Sequence, residues 1–432
     1  MNILNIFADQ HHKFALGAVD ACYRTPNLDA LAAQGVRFTN AYTPNPMCGP
    51  YRGCLMTGRL ASRHGLTRNN LPLPDGFPPL AALLAEAGWQ TGFVGKWHLG
   101  GKGAGPIPKA LRGGFERFCG FQCYNGYDPA PPYCNRVAFF DEEDREHVYS
   151  LHREEVTTRL AIGMLQDFAR EARPFCLMVG YQAPHYPEQP SPAFEAMYAH
   201  ADFPPREGDG PFEPYTPTFN PPSPKPWTCD PDWQRYGGNP LAYKRLYAAM
   251  VSQVDDGVGR ILAELDALGL AEDTLVIYTS DHGDMQGSHG LVNKGVSYEQ
   301  SAGVPFIVRC PGGRRGEVTD RLVSGLDIFP TAMEIAGRPA AGDGHSFLPY
   351  VTGRSDGTID EYIISESLLG ESPWRMIRTP RWKLTVSWPD GAPQMLFDMA
   401  EDPNEMRNLA GQPGAAVVIG QLLPVLSATL PQ

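Results

Sequence analysis

Short apolar segments alternate with longer helical patterns along most of the chain, and this alternation constrains the possible folds more than any other feature. Each apolar segment is nearly continuous, as is typical of strands that are buried on both faces of a parallel sheet. Parallel strands need crossover connections, which helices usually provide. The sequence therefore predicts an α/β fold with right-handed crossovers. The predicted strands are residues 2–8, 89–95, 175–181, 274–280 and 304–310.

The predicted helices lie between these strands and carry the expected boundary residues. Proline begins the second helix, and glycine closes the first, the second and the last, as both residues prefer. We therefore expect a large, mostly parallel sheet that is sandwiched by helices. The predicted helices are residues 26–35, 78–88, 156–173 and 241–268.

The pattern changes after Gly337, where four short segments resemble antiparallel strands and a final helix is predicted over residues 415–430. A chain of 432 residues has room for one large domain and a smaller one. We predict a large α/β domain over residues 1–360 and a C-terminal α+β subdomain over residues 361–432. The four short segments are YIISES, RMIRTP, WKLTVSW and QMLFDM.

Composition excludes several classes of protein. The chain is 42% hydrophobic and 19% charged, which is typical of globular proteins and not of disordered chains or coiled coils. The 36 basic residues against 48 acidic ones give a net charge of −12, which argues against nucleic acid or an anionic membrane as a partner. No apolar run is long enough to span a membrane, and no basic leader segment precedes Asp9. We therefore expect a cytoplasmic protein whose nine cysteines are mostly reduced.

Polar residues follow four of the predicted strands at the edge where open α/β sheets bind their ligands. An aspartate or histidine after a strand is more often a turn former or a helix cap, but four such sites in one sheet favour a ligand site. Carboxylates and a carboxamide suit a divalent cation, and His282 adds a nitrogen ligand. The strand-end residues are Asp9 and Gln10, then Lys96 and His98, then His185, and finally Asp281, His282 and Asp284.

The segment CGPYRG places a cysteine, a proline and an arginine at residues 48, 50 and 52. Proline favours the first turn of a helix, so Cys48 is expected at a helix N-terminus, where free N–H groups and the helix dipole attract anions. The alternative is a thiolate phosphatase, which requires an arginine six positions after its cysteine. Cys48 is followed by Arg52 four positions later, and Cys54 by Arg59 five positions later, so neither fits.

With these residues, the chain resembles the type I sulfatases of the alkaline phosphatase superfamily, whose C-x-P-x-R cysteine is converted to formylglycine. Several matching segments occur in order and cover most of the chain, which makes the resemblance far more specific than the motif alone. The segments are ADQ (8–10), residues 24–43, CGPYRGCLMTGR (48–59), GKWHLG (95–100), APHYP (183–187), VDDGVGRIL (254–262), SDHGDMQGSHGLVNKG (280–295), VPFIVRCPG (304–312) and LFDMAEDPNEMRNLAG (396–411).

The resemblance implies an alkaline-phosphatase-like fold and a hydrolase that releases sulfate from an aryl, alkyl or carbohydrate ester. It also implies a formylglycine-generating enzyme as a maturation partner and one divalent cation, with calcium as the first choice and manganese or zinc as alternatives. The implied metal site comprises Asp9, Gln10, residue 48, Asp281 and His282.

The resemblance also implies catalytic roles for six residues. Cys48 becomes the nucleophile as a hydrated aldehyde: one hydroxyl attacks sulfur, and the other then loses a proton, so that the hemiacetal collapses and releases sulfate. Arg52 holds the formylglycine, and Lys96 and His98 lie close to it, with His98 taking the proton. His185 and Lys294 face the sulfate and its leaving group.

Simpler explanations exist for each residue alone. Lys96 and Lys294 could be surface lysines, Lys294 could pair with Glu299, and His185 could fix a loop. Five further residues are expected to shape the pocket or cap helices, and their roles are left open: Asp284, His289, His11, His12 and His64.

Three departures from the common family pattern bear on function. Gln10 replaces an aspartate, His282 replaces an asparagine, and Tyr51 replaces a small residue. Related phosphonate monoester and phosphodiester hydrolases also use an Asp-His pair, so the metal ligands do not decide the substrate, and that activity on the same site is the main alternative. A binding protein without catalysis is a second alternative, which the intact catalytic set disfavours. Determinants of the leaving group are expected in residues 105–145 and in residues 186–240, which include a proline-rich segment, 203–240, with eleven prolines.

Overall fold

A ten-stranded mixed sheet forms the centre of the protein. The computed structural model describes residues 1–103, 105–123, 137–186, 188–209, 239–339, 342–357, 359–368 and 372–429. Within these ranges the strand order is β10-β2-β9-β8-β1-β7-β3-β4-β5-β6. The strands are β1 (Asn2–Asp9), β2 (Val36–Tyr42), β3 (Gln90–Lys96), β4 (Arg117–Phe121), β5 (Val137–Asp141), β6 (Glu146–Tyr149), β7 (Phe175–Pro184), β8 (Thr274–Ser280), β9 (Phe306–Arg309) and β10 (Glu317–Ser324).

The middle of this sheet is parallel and fully buried, as the sequence predicted. β1 pairs in parallel with β7 and β8, and β3 pairs in parallel with β7 and β4. Every residue of β1, β3, β7 and β8 is buried, which explains why these segments are almost continuously apolar.

Helices cover both faces of the sheet, which confirms the predicted α/β sandwich. Leu28 of α1, Leu165 of α5 and Val258 of α7 pack on one face. Leu84 of α4 and Phe329 of α9 pack on the other face, which α2 also covers. The helices are α1 (Pro26–Ala33), α2 (Cys48–Thr57), α3 (Ala61–His64), α4 (Leu80–Glu86), α5 (Arg153–Phe168), α6 (Pro192–Met197), α7 (Pro240–Ala267), α8 (Glu299–Ala302), α9 (Ile328–Ile335), α10 (Leu348–Val351) and α11 (Ala415–Ala428).

The last predicted strand of the large sheet, residues 304–310, does not run parallel to its neighbours. It forms β9, which pairs antiparallel with both β2 and β8. The chain leaves β8 at the carboxyl edge of the sheet and enters β9 from that same edge, so β9 must run back along β8. A short apolar segment indicates burial and carries no information about strand direction.

A four-stranded antiparallel sheet follows in the C-terminal region, as predicted. Its order is β11-β12-β13-β14, and α11 packs on it through Leu422 and Leu426. α11 ends at Ala428, inside the predicted range of 415–430. The proposed domain boundary between residues 360 and 361 stays a prediction. The strands are β11 (Ile363–Ser367), β12 (Trp374–Arg378), β13 (Trp382–Ser387) and β14 (Pro393–Asp398).

Several other expectations can be compared with the described part of the chain. The seven cysteines that it contains are free thiols, in agreement with the expected reduced state. Its helices include none that is both long and apolar enough to cross a membrane. Most of the proline-rich segment, residues 210–238, lies outside the described residues, as do residues 124–136 of the other predicted specificity segment.

Candidate active site

The carboxyl ends of adjacent strands bring the predicted site residues to one edge of the large sheet. β1 ends at Asp9 and lies between β8, which precedes Asp281, and β7, which precedes His185. β3 ends at Lys96 on the other side of β7. Cys48 is the first residue of α2, as the proline at residue 50 predicted. The strand order therefore explains why residues far apart in sequence meet at this edge.

Four side chains at this edge form a group that could hold a metal ion. The donor atoms of Asp9, Cys48, Asp281 and His282 all lie within 4.8 Å of one another. Cys48 Sγ is 3.2 Å from His282 Nε2 and 3.5 Å from Asp9 Oδ1. His282 Nε2 is 3.5 Å from Asp281 Oδ1. All four residues are buried.

The chemistry of this group fits a divalent cation. The Nδ1–H of His282 donates a hydrogen bond to the carbonyl oxygen of Gly283 at 3.0 Å, so the Nε2 lone pair points toward the two carboxylates. Burial and the nearby charge of Asp9 raise the pKa of Asp281 to about 8. A cation would offset the cost of burying both carboxylates together. Two hard oxygen donors and an imidazole are compatible with calcium, manganese or zinc.

Gln10 lies next to this group, and its side-chain amide has a fixed orientation. Its Nε2 donates to Asp284 Oδ2 at 2.6 Å, and its Oε1 accepts a hydrogen bond from Lys294 Nζ. Its backbone N–H donates to Asp281 Oδ1 at 3.0 Å, and its φ of 70° lies in the left-handed region that favours glycine. The carbonyl oxygen of the amide therefore faces the site. Its role as a metal ligand stays a prediction.

Two tyrosines of α7 hold Gln10 in this orientation, and the sequence analysis did not identify them. Tyr243 Oη donates to Asp284 Oδ2 at 2.7 Å, and Tyr247 Oη donates to the backbone oxygen of Gln10 at 2.7 Å. Their spacing of four residues places both on one face of the helix. The same spacing is typical of any core-facing helix, so it carried no functional signal.

Two buried cations pair with the carboxylates of the site, and a third, Lys294, lies beside Gln10 and His185. Arg52 donates to Asp9 Oδ2 at 3.0 Å and to Asp281 Oδ2 at 3.4 Å, and Lys96 Nζ is 2.7 Å from Asp9 Oδ2. Burial acts to raise the pKa of Asp9, but Lys96 and the other nearby cations hold it well below its usual range. Lys96 is fully buried and Lys294, the third cation, is 6% exposed, so the surface-lysine explanation is wrong for both.

His98 and Cys48 are both held in uncharged forms. Burial and the positive charge of Lys96 lower the pKa of His98 well below its usual value. Among the described residues, the Nδ1 atom of His98 has no hydrogen-bond partner. Burial and the charge of Asp9 raise the pKa of the Cys48 thiol to about 12. An unmodified Cys48 is therefore a protonated thiol at neutral pH, and His98 has a nitrogen lone pair available.

His185 and Lys294 form a hydrogen-bonded pair next to the metal-binding group, with His185 Nε2 3.7 Å from Asp9 Oδ1. His185 Nδ1 donates to the backbone oxygen of Tyr186 at 2.7 Å, so Nε2 carries the lone pair that accepts from Lys294 Nζ at 2.8 Å. The Tyr186 ring stacks on His185 at a centroid distance of 4.3 Å. The alternative pairing of Lys294 with Glu299 is wrong, because Glu299 pairs with two other lysines.

The five residues whose roles were left open have hydrogen bonds or ring contacts of their own. Asp284 orients Gln10, as described above. His11 contacts Tyr278 Oη at 2.7 Å and the oxygen of Ala15 at 2.9 Å. The Nε2 of His64 lies 3.4 Å from the sulfur of Cys54. The ring of His289 stacks on that of Tyr298 at a centroid distance of 4.1 Å. The Nδ1 of His12 accepts a hydrogen bond from the backbone N–H of Phe14 at 3.3 Å. These contacts of the four histidines are with residues outside the metal-binding group.

Comparisons with known proteins match this chain over most of its length. Residues 1–338 match the family model described as Sulfatase, and residues 287–430 match the one described as N-sulphoglucosamine sulphohydrolase, C-terminal. The choline-sulfatase of Rhizobium meliloti is 31% identical over 447 residues, which cover 96% of this chain and 83% of that protein.

Two solved structures share the fold. One is a protein in complex with its substrate, D-glucosamine-2-N,6-O-disulfate, with a TM-score of 0.83 and 24% identity over 99% of this chain and 97% of that chain. The other is the phosphonate monoester hydrolase of Agrobacterium radiobacter, with a TM-score of 0.78 and 24% identity over 100% of this chain and 96% of that chain. Both confirm the predicted fold class.

Proposed function

The chain belongs to the sulfatase family of enzymes, and we propose that it hydrolyses sulfuric esters with a formylglycine made from Cys48. The observation that supports this most is the position of Cys48 at the start of α2. Its sulfur faces His282 Nε2 at 3.2 Å and Asp9 Oδ1 at 3.5 Å, inside the group that could hold a metal ion. A nucleophile formed at this position would meet both the cation and the helix N-terminus.

We further propose that Asp9, Asp281, His282 and the amide oxygen of Gln10 hold one divalent cation together with residue 48. Calcium is the first choice, with manganese and zinc as alternatives. Such a cation stabilises negative charge on an oxygen nucleophile, and a hydrated formylglycine supplies that oxygen and an internal route for sulfate release. The maturation partner in this proposal is a formylglycine-generating enzyme.

The cationic side chains of this site hold and orient a sulfate ester. Arg52 and Lys96 are fixed by Asp9, so both are positioned before substrate binds. His98 keeps a lone pair for the proton that is lost when residue 48 releases sulfate. Lys294 is aimed at the same space by His185 and Gln10.

Lys294 is the better candidate for protonating the leaving group. The bond from His185 Nδ1–H to the Tyr186 carbonyl leaves His185 Nε2 without a proton to give. Lys294 carries protons on Nζ and shares one of them with His185 Nε2. In this account Lys294 donates the proton and His185 positions the donor.

The main alternative is hydrolysis of phosphonate monoesters or phosphodiesters at the same site. The Asp281-His282 pair does not decide between the two substrates, because related hydrolases of that class carry the same Asp-His pair. Lys96 and His98 favour sulfate esters, because the Lys-x-His pair is typical of the sulfatase branch. An inactive binding protein is disfavoured by the convergence of all six predicted catalytic residues at one sheet edge.

A kinetic comparison tests this proposal. Protein coexpressed with a formylglycine-generating enzyme is assayed with aryl, alkyl and carbohydrate sulfates, and with phosphonate monoesters and phosphodiesters. We expect kcat/KM to be highest for a sulfate ester, and Cys48→Ala to abolish turnover. Cys54→Ala is the matched control, since Cys54 is a buried cysteine of the same helix. A higher kcat/KM for a phosphonate or phosphodiester would establish the alternative.

A further inference from the structure

The segment that carries Lys294 lies between the two sheets of the protein. We call residues 293–299 the Lys294 segment. Four of its residues contact the C-terminal sheet or the loop that follows it: Gly295, Ser297, Tyr298 and Glu299. The oxygen of Gly295 accepts a hydrogen bond from Trp374 Nε1 at 2.9 Å. Thr385 donates to Ser297 at 2.9 Å.

The contact at Glu299 adds a charged anchor at the end of the segment. The side chain of Glu299 pairs with Lys383 of β13 at 2.9 Å, and its backbone N–H donates to Glu405 at 2.7 Å. Glu299 and Lys383 are both buried. The Lys294 segment is thus attached along its length to an element that supplies none of the predicted catalytic residues.

Of these contacts, the one made by Trp374 is nearest to Lys294 in sequence, because it is with Gly295. Its indole N–H is its only polar group, and the side chain is completely buried. The carbonyl that it holds belongs to the residue directly after Lys294, and Gly295 has a φ of 98° in the left-handed region. This carbonyl belongs to the peptide between Gly295 and Val296, so the bond fixes the backbone of Gly295 and with it the position of Lys294 relative to the residues that follow. A rotation there would move Lys294 Nζ away from His185 Nε2 and Gln10 Oε1.

We propose that Trp374 is a positioning residue for Lys294, so that the C-terminal sheet acts on catalysis through this hydrogen bond. The proposal rests on the leaving-group role of Lys294 proposed above. A side chain with four flexible methylene groups needs a fixed backbone to present its amine reproducibly. Displacements of about 1 Å at a reacting group can cost roughly 10²-fold in rate.

The first test compares two tryptophan substitutions in the same sheet. Trp374→Phe keeps an aromatic ring and removes the donor to Gly295. Trp382→Phe is the matched control, because Trp382 packs against the hydrophobic core of the C-terminal sheet. Hydrogen-exchange mass spectrometry should show faster exchange in the Lys294 segment of Trp374→Phe and no change there in Trp382→Phe. Unchanged exchange in Trp374→Phe would overturn the proposal, and this readout does not require turnover.

The second test is a double-mutant cycle with Lys294→Ala on an alkyl sulfate. Trp374→Phe alone should lower kcat/KM by about 10- to 100-fold. In the Lys294→Ala background it should lower kcat/KM by less than about 3-fold, because the residue on which it acts is gone. The same loss in both backgrounds would show a general structural role and overturn the proposal. A wild-type enzyme without activity on any sulfate ester would instead contradict the proposed function.

A further variant keeps the proposal testable if Trp374→Phe does not fold. Thr385→Val removes the hydrogen bond to Ser297 and keeps the shape of the side chain. Thr385→Val should speed hydrogen exchange in the Lys294 segment. It should also lower kcat/KM, by less than Trp374→Phe does, and this loss should largely disappear in the Lys294→Ala background. A loss that does not depend on Lys294 would overturn the proposal.

Discussion

Lys294 and His185 share one hydrogen bond, and its direction determines which of them can protonate a leaving group. His185 donates through Nδ1 to a backbone carbonyl and accepts from Lys294 through Nε2. Negative charge builds on the bridging oxygen as an ester is cleaved, and a positioned acid matters more when that oxygen is more basic. The effect of removing the acid should therefore depend on the substrate.

We predict that Lys294→Ala lowers kcat/KM for an alkyl sulfate by about 10²- to 10⁴-fold and for a nitrophenyl sulfate by much less. His185→Ala should also lower kcat/KM more for the alkyl sulfate than for the nitrophenyl sulfate. The difference between the two losses should be smaller than in Lys294→Ala, because the proton donor Lys294 is still present. Kinetics over a series of leaving groups measures both. Lys244→Ala is the control, since this buried lysine pairs with Asp209 and should affect all substrates equally. An equal loss for every substrate in Lys294→Ala would contradict the assignment.

The long helix α7 contributes to the site without supplying a predicted catalytic residue. Tyr243 and Tyr247 donate to Asp284 and to the backbone of Gln10, and these bonds fix the Gln10 amide oxygen toward the metal-binding group. Residues that orient a metal ligand in this way typically affect metal affinity or activity by about 10- to 100-fold.

We predict that Tyr243→Phe weakens divalent cation binding by about 10-fold, and that Asp281→Ala abolishes it. Calorimetric titration of metal-free protein with calcium or manganese measures both variants. Tyr181→Phe is the matched control, because it removes another buried hydroxyl, which bonds to Thr158. Cation binding by Tyr243→Phe as tight as in the wild type would show that Gln10 needs no such support.

The start of α5 holds the end of β7, from which His185 extends. Glu154 is buried in the first turn of α5, and its Oε1 accepts a hydrogen bond from the N–H of Ala183 at 2.9 Å. Burial acts to raise the pKa of Glu154, but the adjacent His152 and Arg153 and the N–H of Ala183 lower it from 4.5 to about 2.

A carboxyl group with a lowered pKa stabilises the folded state above its unfolded pKa, and this contribution is lost as the pH falls through the folded value. We therefore predict that Glu154→Gln has a lower free energy of unfolding than wild type at pH 7. The difference should narrow as the pH falls from 4.5 toward 2, as measured by urea denaturation. Glu195→Gln, an exposed substitution, should stay within about 0.5 kcal/mol of wild type throughout. A difference that is independent of pH would contradict this account.

Local hydrophobicity patterns in the sequence predicted many of the helices and strands. Where these predictions failed, the reason is how the strands pair in the folded sheet. The apolar segments of β1, β3, β7 and β8 are continuous because both faces are buried, so their sequence alone identified them. Five strands of the large sheet were not predicted: β2, β4, β5, β6 and β10. β2, for example, is only partly buried, with half-buried polar residues among its apolar ones. The antiparallel direction of β9 arises because the connection from β8 enters β9 at the same edge of the sheet. No local sequence pattern indicates that edge.

At the scale of the whole molecule, the site lies at the strand ends of the large sheet, and the C-terminal sheet contacts the segment that carries Lys294. The strand-end rule and the C-x-P-x-R motif both depend on local sequence, and the residues that they indicated, Asp9, Cys48 and Asp281, lie together with donor atoms within 4.8 Å of one another. Tyr243 and Trp374 act through hydrogen bonds to residues distant in sequence, and nothing in their own segments indicates those partners. Such supporting residues can be found only from the assembled structure.

The central claim is that residue 48 works as a formylglycine, and peptide mass spectrometry tests it most directly. Protein is prepared with and without a coexpressed formylglycine-generating enzyme, and the peptide that contains residue 48 is analysed alongside kcat on a sulfate ester. We predict that the peptide carries the mass of an aldehyde in place of the thiol, and that kcat rises in proportion to the converted fraction. Full turnover by protein that contains only unmodified Cys48, or by Cys48→Ala, would contradict the account.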